Sequence, residues 1–383
     1  MLLSIIIPTK DRYYTLIPVV KALLNHIIGD NFEIIVHDNS LDNKEGIREF
    51  SKINDDRVRY FHYKEKLTVS ENSHLAIGCA KGEYLLFIGD DDLVSPYVLK
   101  IVQLIKDKSI DCLIYNKGNY YWPNTVFQKE YAFNHPSHLQ FTRNYDLVFT
   151  TLKTQEVFKA TLRKGGTFLF DMPALYHGIV NKKTMDQVLK KFGSYVPGSS
   201  PDMAIAAALS SILEEHHYVN YPVSITGASK KSAAGMGIKN EHIAKIEDVP
   251  WLPIGLAQRW DEKIPKIWTG LTIYAQTISE VLKVANSELK LNYKQLYIEM
   301  YFYNPSVKKI VKPYILNIQQ EEGILMQFKA VFKQKIRAVI WASPSIVLNT
   351  FIFMRGDFKR KKQFKDVLNV DTCMRILKEN TKV

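Results

Sequence analysis

The sequence is poor in cysteine: three in 383 residues, Cys79, Cys112 and Cys373, far apart in the chain. That number and spacing exclude a disulfide framework and a cysteine-based zinc site. A chain of this length buries a core without such staples, and free thiols predict a reducing compartment, the cytosol. No apolar run approaches the roughly 18 residues of a membrane-spanning helix. The apolar start Met1-Leu2-Leu3-Ser4-Ile5-Ile6-Ile7 has no basic n-region and stops at Pro8, which argues against a signal peptide. Internal repeats and low-complexity tracts are missing as well. With 46% hydrophobic and 23% charged residues, the chain reads as globular rather than disordered.

Acidic residues are absent from 323–356, and that gap belongs to a wider asymmetry. Residues 1–229 hold 25 Lys+Arg against 25 Asp+Glu, and residues 230–383 hold 26 against 14, so the whole net charge of +12 lies in the C-terminal part. A one-sided basic surplus implies an anionic partner: a membrane surface, a nucleic acid or a phosphorylated substrate. Ile324, Leu325, Phe328, Val331, Phe332, Ile336, Val339 and Ile340 share one helical face, with Lys329, Lys333 and Arg337 beside or opposite it. Arg355 and Lys359-Arg360-Lys361-Lys362 follow. Such a helix suits a membrane interface; the same face would also pack on the rest of the chain or on a second subunit.

What is present in the first 225 residues is an alternation of β and α signals. Apolar runs at Leu3–Ile7, Glu33–Val36, Tyr84–Ile88 and Cys112–Tyr115, with an alternating stretch at Val58–Tyr63, predict strands. Helical spacing predicts helices over Tyr13–Ile28, Val69–Ala80 and Pro96–Ile105, then near Asp146–Ala160, Lys183–Phe192 and Asp202–Leu213. Further strands are expected at Leu175–Asn181 and Tyr218–Ile225. Strands alternating with helices imply βαβ units and a mostly parallel sheet. Beyond Pro250 the pattern turns to helices with no convincing strand. The division read from this change is 1–237 and a basic helical region over 238–383.

Three polar clusters follow predicted parallel strands: Pro8-Thr9-Lys10-Asp11-Arg12, His37-Asp38-Asn39-Ser40 and Gly89-Asp90-Asp91-Asp92. In open α/β sheets that edge is where ligands bind. The first two clusters also read as ordinary turns. The aspartate triplet is harder to explain structurally, because adjacent carboxylates at the end of a buried strand repel. A divalent cation such as Mg²⁺ or Mn²⁺ relieves that repulsion and keeps positions open for phosphate oxygens. Capping of the helix that follows is the plainer alternative.

Together these segments resemble the family 2 glycosyltransferases, inverting enzymes of the GT-A fold. The likeness is carried by Ser4-Ile5-Ile6-Ile7-Pro8-Thr9-Lys10-Asp11-Arg12, by Ile34-Ile35-Val36-His37-Asp38-Asn39-Ser40, and by the stretch from Asn72 through Ala80-Lys81-Gly82-Glu83-Tyr84 to Asp92. It covers about residues 3–225. The resemblance implies a GT-A α/β fold, Rossmann-like with a mostly parallel sheet, over 1–237. It implies a nucleotide pocket at Pro8, Thr9, Lys10, Arg12, Asp38, Asn72 and Asp90, with Asp38 accepting from a uracil N3–H. It places Mn²⁺ or Mg²⁺ at Asp91, assisted by Asp92. Gly89 and His37 stand where many members carry acids.

The resemblance also demands a general base to deprotonate the acceptor hydroxyl. Gly198-Ser199-Ser200-Pro201-Asp202 opens an Ala-rich helix and nominates Asp202, though a helix-capping Asp is the plainer alternative. His177 is a weaker candidate for acceptor contact, and Lys230 and Lys231 for closure over the diphosphate. The expected function is metal-dependent transfer from a nucleotide-sugar, a UDP-sugar above others, to a glycan or lipid-linked glycan acceptor of a bacterial surface polysaccharide. The expected place is the cytoplasm or the inner face of the membrane, with a homo-oligomer open and no nucleic-acid partner. The rivals are a nucleotidyltransferase, which would carry glycines in the first loop, and a non-catalytic basic adaptor, which would need no aspartates at a sheet edge.

Overall fold

The computed structural model describes residues 1–127, 135–232, 235, 243–303, 305–322 and 361–383. In chain order the elements begin β1 (Leu3–Thr9), α1 (Tyr13–His26), β2 (Phe32–Asp38), α2 (Lys44–Phe50), β3 (Val58–His62), α3 (Val69–Gly78) and β4 (Tyr84–Phe87). Next come β5 (Leu93–Val94), α4 (Val98–Asp107), β6 (Cys112–Tyr121), β7 (His138–Thr142), β8 (Phe149–Lys153) and α5 (Thr154–Arg163). Then follow β9 (Gly178–Asn181), α6 (Lys182–Phe192), α7 (Pro201–Ser210) and β10 (Glu215–Ala228). The C-terminal part adds α8 (Gly270–Val284), α9 (Tyr293–Tyr303), α10 (Lys308–Glu322), β11 (Lys361–Phe364) and α11 (Val370–Asn380).

One sheet runs β11-β7-β6-β9-β4-β1-β2-β3, with β10 beside β6 and joined by β5 and β8. Strands β1, β2 and β4 are buried on both faces, which is why they read as unbroken apolar runs. Helices α1, α4 and α11 cover one face. Helices α3 and α5–α7, with α8 and α9 from the C-terminal part, cover the other. Helix α7 is buried from Met203 to Ser210, and its alanines let neighbouring helices approach closely.

The structure corrects three expectations. The sheet is parallel only over β3-β2-β1-β4 and between β6 and β10; β9 enters antiparallel to both β4 and β6. The helix expected near Asp146–Ala160 starts at Thr154, because Phe149–Lys153 pairs with β10 as a strand. A strand does exist beyond Pro250: Lys361–Phe364 pairs antiparallel with β7. Lys-Lys-Gln-Phe carries no apolar alternation, so only its partner in the sheet defines it. The amphipathic face at 324–340, and Arg355, Lys359 and Arg360 after it, lie outside the described residues.

Candidate active site

Because β1, β2 and β4 are parallel, their C-terminal ends share one edge, and the register sets Pro8 opposite His37 and Thr9 opposite Asp38. The loops leaving these strands meet there. Thr9 Oγ1 donates to Asp90 Oδ2 at 2.5 Å. Arg12 Nη2 lies 2.8 Å from Asp90 Oδ1 and 2.9 Å from Asp91 Oδ1, and donates to Ser229 Oγ at 3.2 Å. Asn72 of α3 donates to the Thr9 carbonyl at 3.4 Å and lies 2.6 Å from His37 Nδ1. Burial, the largest influence on His37, pushes its pKa down and favours the neutral ring. Lys10 Nζ reaches Asn39 Oδ1 at 3.4 Å. Thus all of the residues expected in the nucleotide pocket gather at one edge.

Asp38 is fully buried and already well occupied. Its Oδ2 accepts from the Tyr13 and Tyr60 hydroxyls at 2.5 and 2.6 Å, and Oδ1 accepts from the Ser40 N–H at 2.8 Å. A carboxylate has about four lone-pair positions, so one remains on Oδ1 for a ligand donor. Asn39 is a loop anchor: it donates to the Tyr63 and Glu65 carbonyls and accepts from the Leu67 N–H.

The three aspartates divide their work. Asp92 already accepts from several donors of the protein. Its Oδ1 accepts from the Gly227 N–H at 2.7 Å, and its Oδ2 accepts from the Gly89 N–H at 2.7 Å and the Tyr176 hydroxyl at 3.1 Å. His177 Nε2 stands 3.0 Å from the same Oδ2. The lone pairs of Asp92 tie β10 and the 175–178 turn to the aspartate loop. Burial alone would raise its pKa, but His177 and the backbone donors outweigh it and bring it down. His177, at a left-handed φ of 52°, is buried and also lies 2.7 Å from Ser224 Oγ.

Asp90 and Asp91 are different. Burial pushes the Asp90 carboxyl up to about 7, against the pull of Arg12 and with help from Asp91. Asp91 is raised by burial too. Asp90 Oδ1 is buried and accepts no hydrogen bond, and Arg12 Nε is a buried donor without an acceptor. Two hard oxygens, one from each aspartate, converge where a cation already stands, and this donor set fits Mg²⁺ or Mn²⁺. Among the described residues no three His, Cys, Asp or Glu side chains form a closed cage. Two carboxylates suit an ion that shares its shell with phosphate oxygens.

Asp202 opens α7, after Pro201 at its first position. Its Oδ1 accepts from the Met203 N–H at 2.9 Å and the Ser200 hydroxyl at 2.5 Å, and its Oδ2 accepts from the Tyr274 hydroxyl. The capping role is therefore real, and it leaves one lone pair on Oδ2. Tyr176 links Asp202 to the aspartate loop: after burial, the charges that raise its phenol are Asp92, Asp91 and Asp202, in that order. Lys117 of β6 is open to solvent, yet neighbouring protein strips part of its hydration and lowers its pKa, while Asp92 and Asp202 act oppositely.

Sequence reasoning missed Tyr176, Lys117 and Tyr274. Lys117 follows the apolar run Cys112–Tyr115 among Asn116, Gly118 and Asn119, a polar stretch that gives no local signal for it. Nothing local distinguishes Tyr274 among the many tyrosines. Lys230 and Lys231 lie in the loop after β10, where the Ser229 N–H donates to Asp91 Oδ2 at 3.1 Å and the Lys230 N–H to Asn124 Oδ1 at 3.3 Å.

Residues 4–171 match the family model described as Glycosyl transferase family 2. The chain is 30% identical over 121 residues to the glycosyltransferase GlyG of Streptococcus pneumoniae, covering 31% of this chain and 39% of that protein. It is 31% identical over 125 residues to a GalNAc(5)-diNAcBac-PP-undecaprenol beta-1,3-glucosyltransferase of Campylobacter jejuni, covering 30% of this chain and 40% of that protein. The chain therefore spans about two fifths of the length of these curated relatives. Among solved structures, S. aureus TarS in complex with UDP-GlcNAc aligns with a TM-score of 0.47 and 13% identity, over 88% of this chain and 79% of that chain. The residues matched to that family model include the three strand-end clusters, whereas Asp202 and Tyr274 lie beyond them.

Proposed function

We propose that this chain transfers a sugar from a UDP-sugar to a hydroxyl of a bacterial surface glycan or its lipid-linked precursor, by a single inverting displacement. The observation that carries the reading is the meeting of Thr9, Arg12, Asp90 and Asp91 at the strand-end edge, with Tyr176 beside them in electrostatic reach of both Asp91 and Asp202. The name of the Campylobacter relative, an undecaprenol-linked glycan glucosyltransferase, supports a lipid-linked acceptor. Pro8, Thr9, Lys10, Arg12, Asp38 and Asn72 line the nucleotide pocket. A divalent ion held by Asp90 and Asp91 would neutralise charge on the leaving diphosphate. In the transfer step the acceptor O–H bond breaks and its proton passes to Asp202 Oδ2. The acceptor oxygen bonds to the anomeric carbon as the bond from that carbon to the diphosphate oxygen breaks, and the nucleoside diphosphate leaves with the electron pair. Arg12, freed from the aspartates, is placed to meet the diphosphate. We assign this chemistry to 1–237, and to the basic region 238–383 a contact with the inner membrane face or a second subunit. Among the described residues no helix is long and apolar enough to cross a membrane.

The test is nucleotide release from UDP-glucose, UDP-GlcNAc, GDP-mannose and dTDP-glucose with Mn²⁺, water serving as acceptor. We expect release from a UDP-sugar, lost with EDTA, and lower by about 10²–10⁴-fold in Asp202→Asn. No release from any donor, or an Asp202→Asn variant at the parent rate, would overturn the assignment.

A further inference from the structure

The loop carrying Asp202 does not hold itself. Ser199 N–H and Oγ donate to the Glu280 carboxylate, at 2.9 Å to Oε2 from the amide and at 2.8 and 3.0 Å to Oε2 and Oε1 from the hydroxyl. The Ser200 N–H donates to Thr277 Oγ1 at 3.0 Å. The Tyr274 hydroxyl donates to Asp202 Oδ2. Tyr274, Thr277 and Glu280 are spaced three residues apart on α8, so they form one stripe along a helix face. Gly198 brings the loop onto that stripe: a Cβ there would stand 2.8 Å from Thr277 Cγ2 and 3.2 Å from Ala204 Cβ. From the other side, the Ser70 hydroxyl of α3 donates to the Gly198 carbonyl at 2.7 Å.

Ordinary helix packing asks only for apolar atoms of the right shape. Here three residues within two turns of one helix each present a polar group to one five-residue loop, and one of these contacts falls on the carboxylate itself. The Tyr274 phenol is held well above its usual pKa by burial first and by Asp202 next, so it remains a donor. With Ser200 and Met203 on Oδ1 and Tyr274 on Oδ2, a single lone-pair direction is left to receive a proton.

We propose that the Tyr274–Thr277–Glu280 stripe of α8 positions Asp202, so that the C-terminal region supplies an orienting part of the catalytic centre. The proposal rests on Asp202 being the base. Tyr274, Thr277 and Glu280 are positioning residues; none is required to touch substrate. Fixing a reacting group within a fraction of an ångström is worth about 10–100-fold in rate.

The experiment uses the full chain and the panel donor with the fastest nucleotide release in the parent. Tyr274→Phe, Thr277→Val and Thr277→Ser are compared with Asp202→Asn by initial rates, UDP calorimetry and thermal melting. In Tyr274→Phe and Thr277→Val, kcat is expected to fall about 10–100-fold with donor KM and UDP affinity unchanged, because the donor pocket lies on other loops. Thr277→Ser keeps the acceptor hydroxyl and is expected to restore the parent kcat. If Asp202→Asn is inactive while Tyr274→Phe and Thr277→Val keep the parent kcat, the positioning role is overturned and the base assignment survives. If Asp202→Asn keeps the parent rate, both fall. A kcat loss that only matches a loss of folded protein, or that Thr277→Ser shares with Thr277→Val, also overturns the proposal.

Discussion

Buried acids sit at both edges of the parallel strands, and they are treated differently. At the edge where the strands begin, Glu33 is 1% exposed and both its oxygens accept hydrogen bonds. Its carboxylate accepts from the Ser4 hydroxyl at 2.7 Å, the Lys81 N–H at 2.7 Å and Arg59 at 2.8 Å. Burial pushes Glu33 upward, but these donors outweigh it and hold it below the usual carboxylate value. At the edge where the strands end, Asp90 is 2% exposed, has an oxygen that accepts no hydrogen bond, and is pushed up to about 7 by burial above all. A buried acid with both oxygens hydrogen-bonded stabilises the fold. One left short, next to another acid, is poorly suited to that work and well suited to a ligand. Asp92, a neighbour of both Asp90 and Asp91, belongs by its donors with Glu33.

The contrast can be broken by substitution. The largest effect is expected at the binding edge: Asp91→Ala lowers nucleotide release by about 10²–10³-fold and removes the Mn²⁺ dependence of UDP affinity measured by calorimetry. Metal-dependent turnover surviving in that variant would place the ion elsewhere. Next comes the structural edge. Glu33→Gln removes the charge facing Arg59 and is expected to lower the unfolding free energy by about 1.5–3 kcal/mol in urea titrations, with UDP affinity of the folded protein unchanged. Since the folded pKa of Glu33 is depressed, this contribution is present above the unfolded value, about 4.3, and is lost as pH falls through the folded value. The deficit of the variant should therefore shrink in acid; a constant deficit from pH 7 downward would mean that charge is not its origin. The smallest effect is expected for Asp90→Asn, which keeps an oxygen for Thr9 and relieves crowding of like charge. Its stability should stay within about 1 kcal/mol of the parent, while UDP affinity with Mn²⁺ falls. A large loss of stability would move Asp90 into the class of Glu33.

The sequence made the binding edge legible because parallel, doubly covered strands leave continuous apolar runs, and the polar residues that end them must lie together. Thr9, Arg12, Asp38, Asp90 and Asp91 were all reachable in this way, whereas Asn72, on α3, came only with the family resemblance. The division of labour inside Asp90-Asp91-Asp92 was not, since it depends on Gly227 and His177, which arrive from β10 and from a turn far along the chain. The same holds for α8, whose stripe acquires meaning only beside residues 198–202. Of the segments that carried the family resemblance, Ala80-Lys81-Gly82-Glu83-Tyr84 serves the opposite edge. The N–H groups of Lys81 and Gly82 bind Glu33 and Ser4, and a Cβ on Gly82 would lie 2.5 Å from the Ser4 nitrogen. A recognisable motif can thus mark the scaffold rather than the chemistry.

The return of residues 361–383 to the sheet bears on how the chain reaches its native state. Lys361 pairs with Thr142, more than two hundred positions earlier, and the hydroxyls of Tyr97, Tyr120 and Tyr221 donate to the carbonyls of Lys378, Val367 and Thr381. Closing so long a loop carries its entropy cost before these contacts form. The edge of β7 stays open, and the core under α11 stays uncovered, until that late closure. Refolding from denaturant should accordingly show a slow phase in which the sheet is incomplete and prone to associate through its bare edge.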